Sequence, residues 1–422
     1  MTPALGLEEQ VRPRLFRGWW MVAVSIVGLA FSLPTLLVYP FGVFAKPLAA
    51  AFQTSRGSIA LAASLLDLVA TFTLPGAGRL VDRYGARRVI VPSLLALVAC
   101  LVGLSFLQPP LWRLYALYGA AGLLASATAP VTYGRVMANW FDRRRGLALG
   151  LSSAGVGIGA FIAPTLAQFL IGRFGWRAAY LGLAATPLLI ALPAVAIFLR
   201  GTPEEVGLRQ DGAAAPSTPA LRKGPAAGMT VREALLTLRF WRLCFIFFGV
   251  GACVQGGVAH LAPLLTDRGV SGQSAALAAS LFGVASIAGR VGNGYLLDRF
   301  FAPHVAAALF AGGAAGVALL WSGVAGYAPF LAALLLGLAM GGEADVMPYL
   351  ISRYFGMRSM AELYGCAFGA FTFGVATGRA LFGAGFDATG TYQTPLACAF
   401  VVLVLVVIAT WGLGPYEKPP AD

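Results

Sequence analysis

Charged residues are scarce in this chain. Asp, Glu, Lys and Arg make up 11% of its 422 residues, against roughly 25% in soluble proteins. The two or three soluble domains that the length alone would allow are thereby excluded. Histidine is scarcer, with 2 residues, and neither stands in an H-E-x-x-H pattern, so no metal site is legible. The 5 cysteines, Cys100, Cys244, Cys253, Cys366 and Cys398, lie in apolar runs without C-x-x-C spacing. They read as packed thiols. There is no Walker A sequence to spend ATP and no nucleophile–base constellation, which argues against an enzyme. "GVGIGAF" imitates a nucleotide-binding glycine pattern, but it lies inside an apolar span with no strand before it. Nothing calls for a cofactor.

What is present is apolar length. Hydrophobic residues reach 59%, and "WWMVAVSIVGLAFSLPTLLVYPFGVF" and "CAFVVLVLVVIATWGL" match the about 20 apolar residues that cross a bilayer core. The first span is too long for a signal-peptide core and no cleavage site follows it, so it reads as a retained helix. The pattern predicts an all-α polytopic membrane protein with twelve helices, near 18–44, 56–79, 87–107, 113–138, 147–171, 177–199, 240–264, 274–297, 303–324, 327–352, 362–386 and 394–413. Many are glycine-rich, as close helix packing in membranes requires.

The formal charge of +13 does not point to nucleic acid, because the cations fall between the spans and not in one stripe. With the N-terminus inside, 21 of the 30 Lys and Arg are inside and 6 outside; the positive-inside rule then places both termini in the cytoplasm. Residues 200–239, rich in Ala, Pro, Gly and charge, read as a cytoplasmic loop ending in a short interfacial helix from Val231. That loop divides a six-helix bundle over 1–199 from a second over 240–422. The halves also repeat: "GAGRLVDRYGARR" is echoed by "GNGYLLDRFFAPH", and "NWFDRRRGLALGLSSAGVGIG" by "RYFGMRSMAELYGCAFGAFTFGVATG". Such repeats mark a carrier built around a central cavity.

Gly78, Asp82, Arg83, Gly85, Arg87 and Arg88 form a G-x-x-x-D-R-x-G-x-R-R string that resembles the loop motif of the major facilitator superfamily. A degenerate copy stands at Gly294, Asp298 and Arg299. "RGWWMV", "NWFDRRRGLALG" and "SRYFG" resemble the monocarboxylate porter and oxalate–formate antiporter branch within it. The resemblance implies the major facilitator fold of two pseudo-symmetric six-helix bundles, a monomeric functional unit, and transport of small organic anions, often with protons. It implies an inner gate at Asp82, Arg83, Arg87, Arg143, Asp298 and Arg299, and an eighth-helix arginine, Arg290, that binds a substrate carboxylate. Tyr39-Pro40 replaces the first-helix lysine of animal members and Ser286 their aspartate one turn before the arginine, so a Lys–Asp–Arg coupling set is not carried over.

An ionisable residue in mid-membrane costs about 2.5–3.5 kcal/mol on insertion scales and so needs a reason. Arg290 lies eight residues before Asp298, roughly 12 Å of helix, too deep for easy snorkelling. Its planar fork suits a carboxylate, either a substrate's or a protein acid's. Glu343 and Asp345 lie at similar depth but about 200° apart on one helix; one is expected toward the cavity and the other against a neighbouring helix, and each is either a proton-coupling acid beside Arg290 or a helix-packing hydrogen bond near Gly341-Gly342. Asp67 is either a proton carrier or a polar contact to helix eleven. Arg379, where the repeat has Ala160, is a second anion contact or a packing charge. Tyr39 and Tyr133 can donate to a carboxylate while packing an apolar tail. Gln255 is a candidate substrate contact at the cavity mouth, His260 either lines that mouth with it or makes a structural hydrogen bond, the favoured reading, and Arg135 reads as snorkelling from its helix end.

These expectations converge on a proton-coupled monocarboxylate carrier in a bacterial inner membrane, with no metal, cofactor or nucleic-acid partner. An organic anion exchanger, or an exporter of amphiphilic compounds on the same fold, is the alternative.

Overall fold

In the computed structural model, residues 16–212, 228–258, 260–324 and 326–416 are described. The N-terminal basic segment before Phe16, the centre of the 200–239 loop and the last residues lie outside them. Helices dominate the described residues, joined by turns and short irregular links, with an isolated bridge between Gly228 and Gly356.

Twelve crossings follow the apolar runs. α1 spans Gly18–Phe52, α2 Arg56–Tyr84 and α3 Ala86–Ser105. α4 is in two pieces, Trp112–Leu124 and Pro130–Trp140. The continuous helical stretch Arg145–Phe198 turns back at Gly175 (φ 80°), between Arg173 and Arg177, making α5 (145–174) and α6 (176–198). A side chain is strongly disfavoured at that φ, so glycine is what permits the reversal. α7 spans Leu238–Val258, α8 Gly272–Leu297, α9 Ala302–Ser322, α10 Ala328–Tyr354, α11 Met360–Thr389 and α12 Gln393–Trp411.

Two helices depart from regular form for legible reasons. α1 passes through a π-helical turn at Pro34–Val38 and has prolines at 34, 40 and 47, each without an N–H for the helical ladder. The expected helix 113–138 is interrupted because Ala129, preceding Pro130, is extended (φ −70°, ψ 166°), the conformation a residue before proline prefers. The break leaves the Thr128 hydroxyl free to accept from Leu33 N–H at 2.9 Å, tying α4 to α1.

α1–α6 and α7–α12 pack as two bundles. Between them, α2 meets α11, α5 meets α8, and α10 crosses α5 and the second piece of α4. Glycine sets these approaches: a Cβ on Gly78 would lie 2.2 Å from Ala361 O, and one on Gly294 2.5 Å from Gly146 O. The outer wall exposes Trp20, Phe72, Phe169, Leu189, Trp241 and Trp411, an apolar belt that water would not tolerate and a bilayer covers.

Candidate functional site

The face carrying the interdomain loop is closed by a pair of reciprocal caps. Asp82, near the end of α2, accepts from Ala361 N (3.3 Å) and Glu362 N (3.0 Å) at the start of α11. Asp298, just after α8, accepts from Gly146 N (2.7 Å) and Leu147 N (2.9 Å) at the start of α5. Each half thus puts a carboxylate on free N–H groups at a helix N-terminus of the other, where the helix dipole also favours negative charge. Burial holds the Asp298 carboxyl above its ordinary range, while the Leu147 and Gly146 amides pull it down.

Arginines complete this closure, though mostly not the expected ones. Arg135 is not a snorkelling residue: it is largely buried, with Nε 3.3 Å from Asp82 Oδ1. Arg145 is buried and donates to Phe141 O, Ser352 Oγ (2.9 Å) and Asp142 Oδ1 (3.1 Å). Arg353, from the other half, donates to Asp142 Oδ1 (3.0 Å) and Asp142 O (3.1 Å). Arg79 pairs with Glu362 at 3.0 Å. Arg83, Arg87, Arg143 and Arg299, read from the motif as gate charges, are exposed; Arg83 lies over the Tyr84 ring and Arg299 over Tyr295. Gly85 links α2 to α3 at φ 86°.

Above this closure lies a cavity of about 190 Å³ between the bundles. Tyr39 of α1, Asp67 of α2, Gln255 of α7, Arg290 of α8, Glu343 of α10 and Arg379 of α11 all line it, with Val38, Leu66, Val156, Met340, Phe368 and Phe371 as apolar wall. Glu343 is 1% exposed and neither of its oxygens has a hydrogen-bond partner among the described residues. No described carboxylate lies within 4.0 Å of Arg290 or Arg379. Opposite charges therefore share one apolar chamber without being joined. A buried carboxylate without a hydrogen-bond partner and a guanidinium without a close ion pair both favour a ligand, proton or water that satisfies them.

Two expected contacts lie elsewhere. Asp345 turns to α5, where Ser153 Oγ donates to its Oδ1 at 2.8 Å. Tyr133 is buried with its hydroxyl against Gly28 and without a partner among the described residues, outside the cavity lining. His260 bonds Arg379 O through Nε2 at 3.1 Å and approaches the Tyr392 hydroxyl through Nδ1 at 3.4 Å, joining α7 to α11 and α12 near the mouth. Thr372, unremarked in the sequence, lines the cavity and bonds Thr71 of the other half at 2.7 Å.

The cavity opens away from the loop face. Its far-end residues Tyr39 and Arg379 are exposed, and past the close approach of α5 and α8 at Gly146, Gly150 and Gly294 the side chains of Ile158, Phe161 and Val284 are uncovered. The bundles are thus locked at one end and parted at the other, the geometry of a carrier open to one side.

A family model described as Major Facilitator Superfamily matches residues 18–365. The mouse protein named Monocarboxylate transporter 11 is 28% identical over 408 residues, covering 92% of this chain and 86% of its own. The Oxalate:formate antiporter of Oxalobacter formigenes is 24% identical over 410 residues, covering 95% and 91%. Among solved structures, the proton:xylose symporter bound to 6-bromo-6-deoxy-D-glucose superposes with a TM-score of 0.75 at 14% identity, covering 96% of this chain and 97% of that one, a likeness of fold alone.

Proposed function

The chain belongs to the major facilitator superfamily, and from that premise we propose that this membrane transporter moves small monocarboxylates together with protons, by alternating access. The carrying observation is that one cavity holds Arg290, with no described carboxylate within 4.0 Å, together with Glu343, which has no hydrogen-bond partner among the described residues. Arg290 takes the carboxylate with two parallel hydrogen bonds, and Glu343 holds the accompanying proton. Phe368, Phe371 and Leu66 enclose the apolar tail, and Tyr39 and Gln255 hydrogen-bond its polar edge. Uptake of an anion alone into a negative-inside cell opposes about 2.3 kcal/mol per 100 mV; a proton carried with it removes that cost. The loop face is taken as cytoplasmic, by the excess of Lys and Arg on that side, in a bacterial plasma membrane. The functional unit is one chain, with bundles at 1–199 and 240–422 rocking about the cavity.

The bundle motion follows from the closure. Releasing Asp82 and Asp298 from the starts of α11 and α5 parts the loop-face ends, while the far ends close over the cargo. Asp67 is the second candidate proton carrier, since it lines the same cavity. Asp345 bridges to Ser153 between the halves and changes partners during rocking.

A second reading is anion exchange, favoured by Arg379. Two cations in one cavity suit a more highly charged anion, and a relative is named an antiporter. Thermal stabilisation of the purified protein by mono- and dicarboxylates separates the two, because stabilisation follows occupancy whatever the coupling. Stabilisation by short monocarboxylates, lost in Arg290→Ala, is expected. Stabilisation by dicarboxylates alone favours exchange, and indifference to every carboxylate refutes both.

A further inference from the structure

Both described ends of the interdomain loop are fastened to gate turns, one in each half. At the first end, Asn139 Nδ2 donates to Gly201 O (2.9 Å), Trp140 Nε1 to Arg200 O (2.9 Å) and Gln210 Nε2 to Ala138 O (3.2 Å). A capping box of Thr202 and Glu205 winds Pro203–Val206 into a short turn of helix that keeps the chain against α4. At the other end, Gly228 bridges Gly356 and Met229 N donates to Phe355 O at 2.9 Å, in the turn between α10 and α11. These are equivalent turns of the repeat.

Asp211 stands out within this strap. Its backbone is left-handed (φ 58°, ψ 15°), a conformation uncommon outside glycine but more often met by Asp and Asn. Its Oδ1 accepts from Asp142 N (3.2 Å) and its Oδ2 from Arg143 N (3.1 Å). Asp211 thus treats the α4–α5 turn as Asp82 and Asp298 treat the starts of α11 and α5. With the backbone at 142 and 143 held so, both the carboxylate and the carbonyl of Asp142 face Arg353 of the opposite half.

We propose that Asp211 is a positioning residue for the gate: the loop carboxylate fixes the α4–α5 turn so that Asp142 can bind Arg353, and the interdomain loop thereby favours closure of its own face. The inference rests on the reading of the fold as a rocking carrier and not on the identity of its cargo. Its action is through Asp142, so its loss should matter less once the Asp142 carboxylate is gone.

The test reads conformation, so a failed assignment of cargo leaves it intact. Spin labels are placed at Arg88→Cys and Phe300→Cys, both exposed and in opposite halves, with the native cysteines replaced by alanine. Asp211→Asn and Asp211→Gly are compared by pulsed electron resonance with Asp142→Asn and with the double variant Asp142→Asn/Asp211→Asn. Both Asp211 variants are expected to raise the long-distance population about two- to fivefold, as fits a partly exposed cross-half pair. Asn replaces one acceptor with a donor; Gly relieves the left-handed backbone, so a gain in closure there would mean that only strain matters. The double variant should shift by less than the sum of the two single variants, because Asp142→Asn leaves the backbone carbonyl contact to Arg353 for Asp211 to position. No shift, a shift in only one of the two Asp211 variants, or additive shifts with Asp142→Asn would overturn the proposal. Folding of each variant is checked by monodispersity and melting, and the exposed position of Asp211 keeps both substitutions outside the core.

Discussion

Gly294→Ala is the smallest change that should unlock the loop face. A Cβ there would stand 2.5 Å from Gly146 O and 3.0 Å from Gly146 C. Both are backbone atoms, so no side chain can rotate away, and α5 and α8 must part by about 0.5–1 Å to restore van der Waals contact. One excess methyl in a close-packed contact costs about 1–3 kcal/mol. That cost falls only on the state in which these helix ends touch, because parted ends leave the methyl free. At 1.4 kcal/mol per factor of ten, the equilibrium should move roughly 5- to 150-fold toward opening of the loop face. The pseudo-symmetric Gly78→Ala, whose Cβ would meet Ala361 O at 2.2 Å, should move it the same way. The Arg88→Cys and Phe300→Cys label pair reports the shift directly as gain of a longer distance. A folded, monodisperse Gly294→Ala protein whose distances match the parent would refute the reasoning, since the clash would then be absorbed within one state.

Other consequences follow from the cavity and the core. Arg290→Lys keeps the charge but loses the planar fork, so carboxylate affinity should fall about tenfold with the maximal rate less affected; Arg290→Ala should lose about 2 kcal/mol or more of binding, both read from concentration-dependent uptake. Glu343→Gln, which matches the acid in shape but cannot ionise, should abolish accumulation driven by a proton gradient while sparing exchange of labelled for unlabelled cargo. Loss of both, or of neither, removes Glu343 from the coupling. Tyr118→Phe deletes the 3.1 Å bond to the buried Tyr180 hydroxyl and should destabilise the first bundle by about 1–3 kcal/mol, seen as a lower melting temperature with unchanged cargo affinity.

The fold was legible because lipid leaves the backbone few choices: long apolar runs must be helices. The break in α4 was signalled by Pro130, although the small residues of Ala125–Ala129 are compatible with a continuous membrane helix and hid it. Tyr39, Asp67, Gln255, Arg290, Glu343 and Arg379 meet in one cavity because polar side chains in apolar spans have few other places to go. Tyr133 was less predictable: a phenol packs in a core as readily as it lines a cavity. The gate was only half readable. Asp82 and Asp298 repeat at fixed spacing, but in "DRRRG" three adjacent arginines differ only in helical phase. Which one turns inward depends on where α5 begins, and that selects Arg145, not Arg143. Asp142, Arg353 and Asp211 meet across long sequence separations, so neither spacing nor periodicity marks them.

The central claim is that Arg290 binds the carboxylate of a cargo carried with protons. Uptake of a labelled short monocarboxylate into proteoliposomes, under an inward proton gradient, tests it most directly. The account predicts accumulation that collapses when a protonophore abolishes the gradient, and that is absent in Arg290→Ala protein reconstituted to the same density. Equal uptake by parent and Arg290→Ala, or accumulation indifferent to the proton gradient, would contradict it.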